Sequence, residues 1–141
     1  MALLICVVSV VGFVLAYVFQ WPSEFVAGEI TEHYVTLADI GSGTVTSIPL
    51  APWIALVVFA LLARSRRWWG TLAVVVLCLL GMLFIIGGLG EVFTPPTPYV
   101  PRAVLIAAGV AYVVLGVALL VSGVADLTDR VRASRQPSQV S

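Results

Sequence analysis

The one cluster of side chains suited to catalysis or metal binding in this sequence is Glu29, Glu32, His33 and Asp39. Carboxylates beside an imidazole can hold a divalent cation or move a proton. Glu29 and His33 lie four residues apart and would share a face if the stretch were helical. The pattern is a poor zinc or acid–base signature, because the chain has a single His and its companions are scattered. The reading adopted is a solvated loop. No catalytic, metal-binding or cofactor-binding residue is expected, and no enzyme activity. Cys6 and Cys78 fall inside apolar runs and read as small apolar residues rather than as a disulfide pair. Nucleotide loops, nucleophile elbows, HExxH and CxxC pairs and haem motifs do not occur.

The elements that would have to position that cluster are mostly apolar. Of 141 residues, 61% are hydrophobic and 10% charged. A soluble domain is about 45–50% apolar and about 25% charged. Fourteen charges cannot coat a chain of this length, so lipid is expected to cover most of it. Net charge is zero, which gives no bulk reason to bind nucleic acid. Lys and Asn are both absent, as a high-GC bacterial genome would favour.

Four apolar runs are expected to form transmembrane helices at about 2–19, 46–63, 68–90 and 104–124, making a single all-α membrane domain. No Lys or Arg precedes the first run, which argues against a cleaved signal peptide. Pro49 and Pro52 sit near the start of the second and predict an irregular outer turn. Orientation follows from arginine, since cytoplasmic loops are enriched in basic residues. Arg64, Arg66 and Arg67 separate the second and third runs, and Arg130, Arg132 and Arg135 follow the fourth. Placing both groups inside leaves only Arg102 outside and puts both termini in the cytoplasm. Trp21 and Trp53 then mark the outer interface, and Trp68 and Trp69 the inner one.

No Asp, Glu, Lys, Arg or His falls within any expected span, although proton relays, voltage sensors and ion-coupled carriers need such groups there. Small residues are more regular. Gly81 and Gly88 in the third span, and Gly109, Gly116 and Gly123 in the fourth, repeat every seven residues. That spacing keeps them on one face at a left-handed crossing. In an antiparallel pair, Gly88 opposite Gly109 also sets Gly81 opposite Gly116.

The outer loop 20–45 is expected to carry a short β-hairpin, Tyr34–Leu37 and Thr44–Thr46 around Gly41-Ser42-Gly43. An interfacial helix over Ser23–Leu37 is the alternative. The outer loop 91–103, with Pro95, Pro96, Pro98 and Pro101, reads as an extended connector with Tyr99 at the interface. The tail 125–141 starts as a helical extension in which Asp126 and Arg130 can pair, and Gln136-Pro137-Ser138 reads as disordered. The expected role is a non-catalytic accessory or structural subunit of a larger membrane complex. An oligomeric component for transporting apolar or lipid-like solutes is the alternative. The expected partners are the lipid bilayer and larger membrane subunits, with a homo-oligomer open.

Overall fold

A computed structural model describes residues 2–21, 36–37, 44, 47–93 and 100–135. Among them the fold is all-helical, in the order α1 (Ala2–Val18), α2 (Leu50–Leu62), α3 (Trp68–Phe93) and α4 (Arg102–Arg135). Thr36 and Leu37 are in neither a strand nor an α-helix. Thr44 and Ser47 form one isolated antiparallel bridge. The expected hairpin, Tyr34–Leu37 and Thr44–Thr46, lies for the most part outside the described residues. The rest of that loop, with Gly41-Ser42-Gly43, lies outside the described residues, as do Tyr99 and Gln136-Pro137-Ser138.

The helix ends follow from local chemistry. α1 stops where Gln20 takes a left-handed φ of 52°. The Trp21 N–H then donates to Ala16 O at 3.0 Å and the Gln20 N–H to Tyr17 O at 3.4 Å. This is the Schellman arrangement, with the Trp21 ring closing over Ala16. α2 begins at Leu50 rather than near Thr46, because Pro49 has ψ 152° and stands outside the helix. The Pro49 carbonyl takes the first helical bond, from Trp53 N–H at 3.3 Å. Pro101 does the same ahead of α4, accepting from Val104 N–H at 2.9 Å.

α3 and α4, at 26 and 34 residues, are long and apolar enough to cross a membrane. α1 and α2 have 17 and 13 residues, about 26 and 20 Å at 1.5 Å per residue, short of the roughly 30 Å hydrocarbon core. Two of the four expected runs thus form helices long and apolar enough for a full crossing. The second run loses its first turn to Pro49. The apolar residues of all four helices face outward in number, including Leu3, Leu61, Leu83 and Val121 at 79, 59, 61 and 63% exposure.

Most of the packing lies between α3 and α4. The facing residues of α4 are Leu105, Gly109, Tyr112, Gly116, Leu119 and Gly123, spaced alternately by four and three and all buried. Their counterparts on α3 are Val74, Leu77, Gly81, Phe84 and Gly88. Gly81 stands against the Gly116 carbonyl and Gly88 against that of Gly109. A Cβ on Gly88 would come 2.5 Å from Gly109 O, and one on Gly116 2.7 Å from Gly81 O. Between these two backbone contacts the Phe84 and Tyr112 rings stack, with centroids 6.3 Å apart. Gly123 faces Cys78 Sγ rather than a third glycine. Against this pair, Ile5 and Cys6 of α1 and Leu56 of α2 meet Leu77, Leu115 and Leu119 in one core cluster. Ala16, Trp21, Val100 and Leu105 form a second at the other end.

Arg130 locks the end of α2 that would otherwise be open. Its Nη2 donates to Ala63 O at 2.6 Å and its Nη1 to Ser65 O at 2.8 Å. Asp126 Oδ2, one turn earlier on α4, holds Nε at 2.9 Å. A helix C-terminus leaves carbonyls without partners, and a residue 67 positions away supplies one here. Gly70 lets the Ser65 backbone pass, since a side chain there would collide with the Ser65 carbonyl.

Gly88→Ala and Gly116→Ala are each expected to destabilise the protein by about 1–3 kcal/mol, the usual cost of overpacking. At Gly87 and Gly90 an added Cβ meets nothing within 4 Å, so alanine there is expected to be neutral or to stabilise by about 0.5–1 kcal/mol. Unfolding of the four variants in detergent, run side by side, compares the two pairs; equal behaviour would refute the close crossing. Arg130→Gln is expected to cost about 1.5–3 kcal/mol, as befits hydrogen bonds from a charged donor. Asp126→Asn, on a side chain 43% exposed, is expected to cost less than about 1 kcal/mol. The same unfolding assay orders the two.

Candidate functional site

The end of the bundle opposite the arginines holds the main polar group of the helical core. Ser47-Ile48-Pro49 runs without regular structure into α2. Pro49 cannot donate, and the Ile48 N–H precedes the helix, so Ile48 needs an acceptor from elsewhere. Ser9 Oγ on α1 accepts it at 3.0 Å. The Ser9 hydroxyl is also hydrogen-bonded to the Tyr112 side chain of α4. Nearby, Thr44 Oγ1 and Ser47 Oγ lie 2.8 Å apart, and the Thr44 N–H reaches Ser47 Oγ at 3.0 Å. Ser9, Thr44, Ser47 and Tyr112 are all buried. Satisfying such groups internally is what an apolar solvent requires, since each unpaired one costs several kcal/mol there.

Two clefts flank the Ser47–Pro49 segment. One, of about 250 Å³, lies between α1 and α2 against Val10, Phe13, Leu50 and Trp53. The other, of about 230 Å³, lies between α2 and the α3–α4 pair. Pro52, Leu83 and Phe84 form its apolar wall, and Thr44, Glu91 and Tyr112 its polar one. Each exceeds the roughly 150 Å³ cavity that holds a benzene molecule. Both are small beside pockets that enclose a whole drug-sized ligand, about 300–1,000 Å³. They suit an apolar chain segment with a hydrogen-bonding end. Among the described residues no His or Lys stands beside these hydroxyls to act as a base. Among the described residues no group of three or more His, Cys, Asp or Glu converges on one point.

Glu29, Glu32, His33 and Asp39 lie outside the described residues. Trp21 is buried against Val100 and Leu105. Trp53 is half-buried against the cluster of Ile5, Leu56 and Leu77. Trp68 and Trp69 are exposed and stacked on one another. Arg64, Arg66, Arg67 and Arg132 are exposed, whereas Arg130 turns inward. Arg135 ends α4. Sequence reasoning missed Ser9 and Tyr112 as a pair. The signal was present: Ser9 is the sole hydroxyl among the first 16 residues, and Tyr112 is the one tyrosine of 104–124. Nothing in a linear reading brings the two together.

Ser9→Ala is expected to destabilise by about 1–3 kcal/mol, because it strands the Ile48 N–H in apolar surroundings. Tyr112→Phe removes one hydroxyl and leaves that amide bonded to Ser9, so about 0.5–1.5 kcal/mol is expected. Unfolding midpoints of the two variants test the order. A larger loss in Tyr112→Phe would contradict the role given to Ser9.

Compared with family models, with curated proteins and with solved structures, the chain matches none.

Proposed function

We propose that this chain is a small polytopic protein of a bacterial inner membrane that serves as a non-catalytic accessory subunit in the assembly of a larger membrane complex. In this reading all four helices lie in the bilayer and both termini face the cytoplasm. α3 and α4 cross the membrane fully. α1 and α2 reach the interfaces through the segments that flank them. The six arginines at one end of the bundle support the orientation.

One observation carries the accessory role. α1 buries one side, Ile5, Cys6, Ser9, Gly12 and Ala16, and leaves another open. Leu3, Val7, Val10 and Val14 are at least half exposed there, at 79, 52, 53 and 51%. They are spaced by four, three and four, the repeat with which one helix seats another at a left-handed crossing. Valines are already restricted at χ1 and lose little freedom when packed. This face suits a second apolar helix of a partner subunit. The polar side chains of the core, meanwhile, are engaged in internal hydrogen bonds rather than arranged for catalysis, which supports a structural role over an enzymatic one.

The two apolar clefts favour a second reading, a homo-oligomer that handles apolar or lipid-like solutes. The test is purification of the tagged chain from native membranes in mild detergent. A larger membrane protein is expected in stoichiometric amount, and Val7→Trp with Val14→Trp is expected to release it while the unfolding midpoint stays within a few degrees. Recovery of this chain alone would refute the accessory role. Self-crosslinking of Val7→Cys in membranes would instead favour the homo-oligomer.

A further inference from the structure

At the arginine-rich end, the start of α3 and the last turns of α4 enclose a cleft of about 390 Å³ lined by Arg66, Thr71, Arg130, Val131, Ala133 and Ser134. None of these residues is acidic. Arg130 is fixed there, with its side chain 11% exposed and one donor each committed to Asp126, Ser65 and Ala63. A guanidinium has five N–H donors, so Nη1 and Nη2 each keep one. Arg66 is exposed and contributes a second positive charge. Ser134 donates to Val131 O at 2.8 Å and so walls the cleft. Thr71 is left as the hydroxyl on the α3 side. Arg66 and Arg130 against Asp126 leave one net positive charge, matched to one phosphodiester. No lining carboxylate is available to receive an ammonium group.

The depth of the cleft points to the source of the anion. Trp68 and Trp69, stacked and exposed between Arg66 and Thr71 in the chain, are residues that settle at headgroup level. Basic pockets between membrane helices at that level take lipid headgroups, and the guanidinium fork fits phosphate oxygens.

We propose that this cleft binds the phosphate of an anionic membrane lipid, with Arg66 as the capturing charge and Arg130 as a fixed pair of donors. The inference rests on the chain lying in a membrane and not on its accessory role. Its test uses the full chain in mild detergent, titrated with phosphatidylglycerol or phosphatidylcholine of matched chains, with bound lipid counted by native mass spectrometry. Phosphatidylglycerol is expected to bind the more tightly. Arg66→Gln is expected to weaken it about fivefold, the equivalent of the roughly 1 kcal/mol that one surface arginine contributes toward anionic membranes. Arg132→Gln removes the same charge outside the cleft and is expected to change nothing. Excess inorganic phosphate is expected not to displace the lipid. Equal affinity for both lipids, equal losses in the two variants, or displacement by inorganic phosphate would each overturn the proposal. Lipid binding by a chain that purifies without a larger subunit leaves this inference standing while removing the accessory role.

Discussion

The contact between the α3 and α4 backbones at Gly81–Gly116 and Gly88–Gly109 is the constraint on which the other features depend. In lipid, apolar side chains gain little by leaving the solvent for a helix interface, so association rests on close packing and hydrogen bonds. Two glycine pairs bring the helices into carbonyl contact. That contact fixes both the register and the rotation of α4. Tyr112 then falls opposite Phe84 and beside Ser9. Two heptads beyond Gly116, Arg130 falls under the end of α2. A one-residue slip would turn α4 by about 100° and separate both groups from their partners.

This dependence explains why Arg130 has two parts to play and the other arginines need have only one. A charge at the membrane edge can orient a chain from anywhere in a flexible loop. Arg130 is on a helix, on the line that carries Gly109, Gly116 and Gly123, and its guanidinium meets Ala63 and Ser65 only because that line faces α2 and α3. The bond to Asp126 holds the fork in place rather than adding much stability itself, as its exposure indicates. Polar groups in this fold thus sit where helices break: Arg130 at the end of α2, Ser9 at its beginning.

Much of the α3–α4 architecture is legible in the sequence, and the reason is size rather than hydropathy. On a soluble helix the buried face is the greasy one. For a helix in lipid, solvent and neighbouring helix are equally apolar, so periodicity in hydrophobicity carries almost no signal. Periodicity in residue volume remains, and the glycines at 81, 88, 109, 116 and 123 display it. The same seven-residue line runs on to Arg102 and Arg130, so the capping arginine was marked by position although nothing in its type distinguished it from Arg132. What the sequence hides is contact across distance. Ser9 and Ile48 are 39 residues apart, and their bond arises because Pro49 withholds a turn of α2. The prolines of the second run predict an irregular start; they do not predict which helix will satisfy the stranded amide. Thr44 and Ser47 likewise satisfy one another locally through hydroxyls as well as backbone, a contact that no apolar or glycine pattern announces.

α1 is attached differently from the rest, and this bears on what the protein does. It lacks the glycine-lined contact of α3 with α4 and touches the bundle sparsely. Two fasteners hold it: the Ser9 hydroxyl midway, shared between Ile48 and Tyr112, and the Trp21 ring at its end, lodged against Val100 and Leu105. Both act on one side of the helix. A helix fixed at two points along one stripe keeps its orientation without needing a broad interface, so its other stripe stays available at a defined angle. The accessory role proposed for this chain would draw on that combination of a rigid hairpin, to set position, and a laterally open helix, to be covered.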